Sequence, residues 1–286
     1  MTPINIYGWD GFQLKSDDLT AVITPAIGGR IMSLKFKGQE LLFADPKHFA
    51  ETFDPRLWRD LSQTKKSLGF RVWGGDKTWV APQKDWLLGI PPLDLDAAPY
   101  ALTWQKDEAV MTSPICRETG LQIIRRIVLQ QGQLRLTEEL YNRTDKPVKK
   151  GLWNVTQLRR PCSFRIPSTS QAFRSYHQED KTLPVFQGDL SSWEGKISVE
   201  CRTSDLFKVG GIPSCGELDI ELDRDGQKIC WKKTFTFDAQ SLYAHASAVE
   251  IFNSPDLPYA EIELHSSFKT LGCNESIRLE QLWQIS

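Results

Sequence analysis

The alternation of apolar and polar positions is the strongest pattern along this chain. Short segments rich in β-branched and aromatic residues recur from one end of the sequence to the other. Such runs, bounded by turn residues, are typical of strands, and their number predicts an all-β protein. The predicted strands cover residues 19–24, 30–36, 99–104, 121–130, 133–141, 147–157, 197–201, 217–222, 227–237, 243–252, 258–265 and 277–285.

The joints between these runs predict antiparallel hairpins. Gln131-Gly132 separates two strand-like runs, and Asp223-Arg224-Asp225-Gly226 precedes another. These residues favour tight turns because Gly takes positive φ and Asp bonds its own backbone. Many antiparallel strands in one chain favour two packed sheets over one small barrel, since a twisted open sheet rarely exceeds about ten strands.

Helical character is expected only in a short insertion near residues 46–66. Asp45 can cap this segment and Pro46 can take its first helical position, whereas Pro55 limits the length of any single helix. No composition shift, low-complexity tract or internal repeat divides the sequence. We therefore expect residues 1–286 to form one domain.

Composition and charge narrow the partners. The chain has 35 Lys plus Arg against 36 Asp plus Glu, a formal net charge of -1. This balance implies no attraction to nucleic acid or to an anionic membrane, and fits a small neutral or weakly anionic ligand. Six scattered cysteines show no metal-ligand spacing, so no metal is expected. No secretory or membrane-spanning pattern is found, and the predicted location is the cytoplasm.

Candidate chemistry is concentrated in the predicted strand Tyr259-Ala260-Glu261-Ile262-Glu263-Leu264-His265. Alternation places Glu261, Glu263 and His265 on one face, with the two carboxylates about 7 Å apart. That spacing suits one sugar-sized ligand. The ordinary alternative is a row of polar side chains on the solvated face of an antiparallel strand.

Several segments resemble the galactose mutarotase-like (aldose 1-epimerase-like) proteins. Residues 19–43, LTAVITPAIGGRIMSLKFKGQELLF, resemble the opening of that β-supersandwich, and Glu261-x-Glu263 followed by a last strand ending near Trp283 resembles its C-terminal part. Residues 73–83, WGGDKTWVAPQ, and 205–210, DLFKVG, are similar to an uncharacterised bacterial branch, the DUF4380-type proteins. The resemblance implies a β-supersandwich fold and a carbohydrate ligand, without a cofactor.

The resemblance also implies a mechanism, and the sequence departs from it at one point. In sugar mutarotases a Glu near the C-terminus takes the anomeric hydroxyl proton, which assigns the base to Glu263 or Glu261 here. A His in a central strand protonates the ring oxygen, but the comparable segment, residues 151–158, is GLWNVTQL and has no His. Either another group supplies the acid, or the protein does not catalyse mutarotation.

Two histidines are candidates for the missing acid. His265 follows Glu263 on the same strand face, and His245 lies on a segment expected to pair nearby. His48 and His177 fall in loop-like or helical insertions and are weaker candidates.

Other candidates for ligand contact come from the motifs of the resemblance. Arg71 precedes Gly74-Gly75, and mutarotases use an Arg in a comparable loop to bind sugar hydroxyls, which suits its planar fork. Lys77 and Trp79 share a strand face, so a charge stands beside an aromatic platform. The structural alternative is a capped turn followed by a core Trp.

Trp153 and Gln157 share the face of the central strand where the mutarotase His would lie, and are expected to line the ligand. Arg30 and Lys208 are further cations in the motifs. Convergence of the four cations would indicate an acidic or phosphorylated ligand: Arg30, Arg71, Lys77 and Lys208.

Three functional hypotheses follow. The first is a carbohydrate-binding protein that interconverts sugar anomers by Glu-based acid/base catalysis. The second is a non-catalytic carbohydrate-binding protein that has lost the acid His. The third and weakest is a glycoside hydrolase or lyase, because carboxylates that are neighbours on one strand do not flank a scissile bond.

Overall fold

Strands dominate the fold, as the alternation predicts. The computed structural model describes residues 1–176, 183–190 and 192–286. Its strands are β1 (Thr2–Ile6), β2 (Trp9–Ser16), β3 (Leu19–Thr24), β4 (Arg30–Phe36), β5 (Gln39–Glu40), β6 (Asp76–Ala81), β7 (Ala101–Gln105), β8 (Glu108–Thr112), β9 (Leu121–Gln130), β10 (Gln133–Asn142), β11 (Val148–Arg159), β12 (Cys162–Pro167), β13 (Phe173–Ser175), β14 (Ser192–Trp193), β15 (Lys196–Cys201), β16 (Phe207–Gly211), β17 (Glu217–Arg224), β18 (Gln227–Phe235), β19 (Val249–Asn253), β20 (Tyr259–His265), β21 (Lys269–Leu271) and β22 (Ser276–Ile285).

These strands form two antiparallel sheets, which confirms the prediction of two packed sheets. The first sheet has the order β1-β2-β3-β4-β6-β11-β20-β19-β16-β13, with β5 beside β4 and β21 beside β11. The second has the order β14-β15-β12-β17-β18-β22-β10-β9-β8-β7. The largest apolar cluster combines buried residues of both sheets, such as Ile262 and Leu264 of the first and Leu134 and Leu279 of the second. Burial of this interface is the main stabilising term of such a sandwich.

The predicted helical insertion is a series of short pieces. Helices cover Pro46–His48, Pro55–Leu57 and α1 (Leu61–Leu68). Asp45 caps the first by accepting from the Lys47 amide, with Pro46 at its start, as expected. Further pieces that the pattern did not predict lie at Gln83–Asp85, Leu87–Gly89, α2 (Leu93–Asp96), Ser170–Ala172 and Ala244–Ala246. In the part of the chain that the structure describes, no helix is long and apolar enough to span a membrane.

One predicted strand, residues 243–252, is wrong over its first half. The chain forms a single 3-10 turn at Ala244–Ala246, and β19 begins only at Val249. His245 and Ala246 have φ of 57° and 50°. Residues other than Gly seldom adopt this left-handed region, so the apolar composition of the segment does not reveal the turn.

The central strands of the first sheet turn one face to the second sheet and the other face away from it. Along β20, Ala260, Ile262 and Leu264 belong to the core between the sheets. Trp79 and Trp153 lie on the opposite face and form a separate apolar cluster. We call this second face, turned away from the second sheet, the site face.

A buried polar cluster joins the two sheets beneath the site face. Arg125 of β9 forms an ion pair with Asp76 of β6 and lies 3.7 Å from a carboxylate oxygen of Glu138. Lys233 of β18 donates to the Thr156 hydroxyl at 2.7 Å. Burial lowers the pKa of Lys233 from its ordinary 10.5 to about 8. Two acids and two bases therefore meet in the core, where each depends on the others for compensation.

Candidate functional site

Strand β20 places Glu261, Glu263 and His265 together on the site face. Gln157 of β11 is paired with Glu261 in register, and Trp153 with His265. On the other side, Glu250 of β19 is paired with Glu263. Every residue of β20 is buried, so the expectation of a solvated polar face is wrong. Neighbouring strands and the loops above them cover these side chains.

Glu261 is the more accessible of the two carboxylates. Its side chain is 10% exposed, whereas that of Glu263 is 1% exposed. Gln157 Nε2 donates to Glu261 Oε1 at 2.7 Å, and Lys77 Nζ lies 3.7 Å from the same oxygen. Phe252 of β19 is paired with Glu261, and its aromatic side chain is half-buried. Glu261 thus has a fixed orientation and retains access to solvent.

Lys77 is a buried ammonium with an unusual environment. Its Nζ lies 4.4 Å from the centroid of the Trp79 ring, a cation–π contact that the shared strand face predicts. Burial lowers the pKa of Lys77 from 10.5 to about 8, although Glu261 opposes the shift. The ammonium therefore titrates near pH 8, whereas an ordinary lysine stays protonated at this pH.

Arg30 is buried next to the site and is bound to Asp96 and to the Gly74 carbonyl. Its Nη2 forms an ion pair with Asp96 Oδ1 at 2.6 Å, and its Nη1 donates to the Gly74 carbonyl at 3.2 Å. Trp79 Nε1 donates to the same Asp96 oxygen at 2.7 Å. Arg30 is thus buried and engaged, and it does not join the other candidate cations as a free group. A Cβ on Gly74, where φ is 103°, would lie 2.3 Å from the Phe43 carbonyl oxygen, so this turn approaches protein backbone closely.

Glu263 is more buried than Glu261, and two donors share one of its carboxylate oxygens. Trp153 Nε1 donates to its Oε2 at 2.7 Å, and Lys208 Nζ donates to the same atom at 3.0 Å. Lys208 also lies 2.7 Å from Glu250 Oε2, so one ammonium bridges two carboxylates. Burial, reinforced by Glu250 and Glu261, raises the pKa of Glu263 well above its ordinary value. Burial would also raise the pKa of Glu250, but Lys208 and His265 hold it well below that value.

Glu250 is a central residue that the sequence did not single out. Besides Lys208, it accepts hydrogen bonds from Tyr176 and contacts His245 Nδ1 at 3.1 Å and His265 Nε2 at 3.4 Å. The available signal was one carboxylate between apolar residues in VEIF, since an acid in the middle of a buried strand requires partners. Burial lowers the pKa of His265.

Trp153 occupies the middle of the cluster, where the resemblance leads one to expect an imidazole. Its ring stacks on His265 at 5.4 Å and on Trp86 at 5.4 Å. Lys208 Nζ lies 5.0 Å from the centroid of the same ring. His265 is therefore fully buried beneath an indole.

The other candidates are more dispersed. Arg71 lies half-exposed in the loop after α1, next to Phe70, whose ring contacts Trp79 at 5.8 Å. Its Nε is buried and has no hydrogen-bond partner within residues 1–176, 183–190 and 192–286. His48 lies in the helical insertion, where its ring nitrogens contact Asp45 and Glu51 and not the site residues described above. His177 lies outside the described residues.

Solved structures described as galactose mutarotase-like have the same architecture. A galactose mutarotase-like protein from Lactobacillus casei superposes with a TM-score of 0.62 at 9% identity, covering 96% of this chain and 100% of that one. A galactose mutarotase related enzyme from Lactobacillus acidophilus gives 0.62 at 12% identity, covering 96% and 97%. The chain has the galactose mutarotase-like fold. Slr1438 of Synechocystis sp. PCC 6803 shares this fold at a TM-score of 0.63 and 15% identity, over 100% of this chain and 99% of that one.

Identities this low show the mutarotase-like fold and not its activity. No protein-family model matches the chain, and no curated protein matches it either. The resemblance to the DUF4380-type branch therefore stays a prediction, and the activity has to be argued from the side chains of the site.

Proposed function

We propose that this chain binds a neutral monosaccharide on the site face and interconverts its anomers, with Glu261 as base and Lys77 as acid. The observation that carries the proposal is the pair formed by Glu261 Oε1 and Lys77 Nζ, 3.7 Å apart and bordered by the Trp79 ring. Residues 1–286 are proposed to act as one carbohydrate-binding domain. The mutarotase-like fold supports the ligand class, and a cytoplasmic location stays a prediction.

The reaction needs one base and one acid close together. Glu261 takes the proton of the anomeric hydroxyl, the bond between C1 and the ring oxygen breaks, and that oxygen takes a proton from Lys77. Rotation about the C1–C2 bond and the reverse steps give the other anomer. Because both reacting oxygens are bonded to C1, a base and an acid 3.7 Å apart fit better than Glu261 and Glu263 at about 7 Å.

The charges around the site favour a neutral ligand. Three cations of the site, Arg30, Lys77 and Lys208, already face four carboxylates, which are Asp96, Glu250, Glu261 and Glu263. A phosphate or carboxylate on the ligand would add negative charge to a group that is already balanced or acidic. The condition for an acidic ligand, convergence of free cations, is therefore not supported.

Stacking and hydrogen bonding supply the binding energy in this proposal. The half-buried Phe252 ring borders Glu261, and aromatic faces pack against the apolar faces of sugar rings. Arg71, with its buried unpartnered Nε, is proposed to bind sugar hydroxyls from the loop after α1.

A non-catalytic carbohydrate-binding protein is the second candidate. The observation that favours it is Trp153, which replaces the acid imidazole implied by the resemblance and donates to Glu263 at 2.7 Å. In this case the pocket would bind a sugar, and no proton transfer would follow.

Nuclear magnetic resonance separates the two candidates. Saturation transfer against aldoses, uronic acids and sugar phosphates identifies ligands, and exchange spectroscopy on the same samples measures anomer interconversion. We expect neutral aldoses to bind and to exchange faster than in buffer. Glu261→Gln should retain binding and lose exchange by roughly 10²- to 10⁴-fold, as expected for a missing base.

Glu263→Gln is the matched control, because it makes the same change two residues away on the same face. We expect it to retain exchange to within about tenfold, since Gln still accepts from Trp153 and Lys208. Exchange that survives Glu261→Gln but not Glu263→Gln would reverse the assignment of the base. Binding without exchange for every sugar would establish the non-catalytic candidate, and binding of no sugar would refute both.

A further inference from the structure

A second chemical cluster lies on the site face, beside the proposed sugar site. It consists of His245 in the turn before β19, Glu250 in β19 and His265 at the end of β20. One potential ligand atom of each residue lies within 4.8 Å of those of the other two. His245 Nδ1 is 3.1 Å from Glu250 Oε1, and His265 Nε2 is 3.4 Å from Glu250 Oε2.

The backbone is shaped to bring these groups together. Glu250 lies opposite Glu263 in the β19–β20 pair, so its carboxylate is close to His265, two residues further along β20. His245 reaches the same carboxylate because it adopts φ of 57° in its 3-10 turn. A non-Gly residue in this region is strained, and such strain is retained where it orients a functional side chain.

His265 provides an independent indication of a ligand. The residue is fully buried, and among the described residues neither of its ring nitrogens makes a well-aligned hydrogen bond. Buried polar groups are nearly always hydrogen-bonded, because an unpaired one costs about 1–3 kcal/mol. Its Nε2 points to Glu250 at 3.4 Å, so a ligand between the two would satisfy both groups.

We propose that His245, Glu250 and His265 bind a divalent transition metal ion, with Zn²⁺ as the best match. Two imidazoles and one carboxylate are the donor set of three-ligand zinc sites that keep a position open for water or substrate. With bond lengths of about 2.0–2.1 Å, ligand atoms around a tetrahedral zinc are about 3.3 Å apart, close to the 3.1 and 3.4 Å that separate Glu250 from the two imidazoles. Ca²⁺ and Mg²⁺ fit less well because they prefer oxygen ligands throughout.

Two existing contacts must change when the ion binds. The Gln83 amide donates to His245 Nε2 at 3.3 Å, so binding at Nδ1 requires the other tautomer and the loss of that contact. Lys208 contacts both Glu250 and Glu263, at 2.7 and 3.0 Å. It can remain on Glu263 while Glu250 turns its lone pairs to the metal, because an ionised carboxylate has about four acceptor sites.

Cobalt is the probe for this site, because tetrahedral or five-coordinate Co²⁺ gives visible ligand-field bands and Zn²⁺ does not. The full chain is treated with a chelator, titrated with Co²⁺, and then back-titrated with Zn²⁺. We expect one equivalent of Co²⁺ to produce the bands, and one equivalent of Zn²⁺ to remove them. No activity measurement is needed, so this outcome is independent of the proposed sugar chemistry.

Substitutions locate the ion. Each of His245→Gln, Glu250→Gln and His265→Gln should weaken Co²⁺ binding by more than about 100-fold, the upper range for loss of a mere supporting contact. His48→Gln is the matched control, because His48 also lies beside a carboxylate, that of Glu51 at 3.0 Å, and it should bind like the parent. Circular dichroism checks that each variant is folded. Because the His245 side chain is partly exposed, His245→Gln should perturb folding least of the three.

The absence of ligand-field bands in the parent protein would overturn the proposal. So would Co²⁺ binding that persists in all three folded variants, or binding that is lost in His48→Gln.

Discussion

At the scale of single residues, the proposed mechanism gives the amine of Lys77 the role that the family resemblance gives to an imidazole. An ammonium at its ordinary pKa is too weak an acid to protonate a ring oxygen efficiently near pH 7. Burial lowers the pKa of Lys77 to about 8, and Glu261 keeps the group from losing its proton altogether. Strands β6, β11 and β20 place Lys77 and Glu261 on one face, and the proposal assigns to Lys77 the acid role that the family resemblance gives to a histidine.

Lys77→Arg tests this role directly. Arginine keeps the positive charge and hydrogen-bonding capacity but does not release its proton, so we expect sugar binding to change by only a few-fold. Anomer exchange should fall by roughly 10²- to 10⁴-fold, the usual worth of a general acid. In the parent protein, exchange should decline above about pH 8 as the Lys77 ammonium deprotonates.

Exchange rates measured from pH 6 to 9.5, on the parent and on Lys77→Arg, provide the check. Retention of exchange in Lys77→Arg would remove Lys77 from the chemistry and leave it as a binding residue only.

At the scale of secondary-structure elements, β6 shows why hydrophobic alternation fails to predict some strands. Lys77 and Trp79 face the site, and Asp76 and Thr78 face the cluster between the sheets. Both faces therefore carry polar groups, and the strand shows no alternation although all six of its residues are buried. Tertiary partners, and not the local pattern, keep this strand in the sheet.

The contrast with β3, β4 and β9 is instructive. Their ends coincide with the predicted bounds, 19–24, 30–36 and 121–130, because turn residues flank each strand, and β9 also alternates regularly between buried and half-buried positions. The shared face of Glu261, Glu263 and His265 was predictable for the same geometric reason. The contacts of these residues with Glu250 and Lys208 were not, because strand pairing between distant segments decides them.

The contribution of the cluster between the sheets can be measured with two adjacent arginines. Arg125→Met removes the main partner of the buried Asp76 and Glu138, and should lower the free energy of unfolding by about 3–5 kcal/mol. Arg126→Met is the control: its side chain lies on the opposite face, pairs with Glu108 and Glu139 near the surface, and should cost less than about 1 kcal/mol.

Urea denaturation followed by Trp fluorescence measures both variants. Equal losses would show that the buried arginine is not electrostatically more important than its neighbour.

At the scale of the whole molecule, ionisable groups are buried against both faces of the first sheet. Lys77 on the site face and Lys233 between the sheets both have a pKa of about 8 in the folded protein, against 10.5 ordinarily. Such burial is costly, and it persists where neighbouring acids compensate it and where a function requires it. Charged side chains therefore lie on both faces of the central strands of the first sheet.

This arrangement predicts how stability depends on pH. A base with a depressed pKa binds fewer protons when folded than when unfolded, so stability increases as pH rises from about 8 towards 10.5. Each lysine should add about 1 kcal/mol between pH 8 and 9. The buried thiols Cys116 and Cys201, whose pKa is raised, act in the opposite direction as the unfolded thiols ionise at about pH 8.5–9, and they offset part of this rise. Urea denaturation at pH 7.5, 8 and 9 under reducing conditions measures the change, and Lys233→Met should gain about 1 kcal/mol less than the parent between pH 8 and 9. An equal change in the two proteins would mean that Lys233 is solvated in the folded protein.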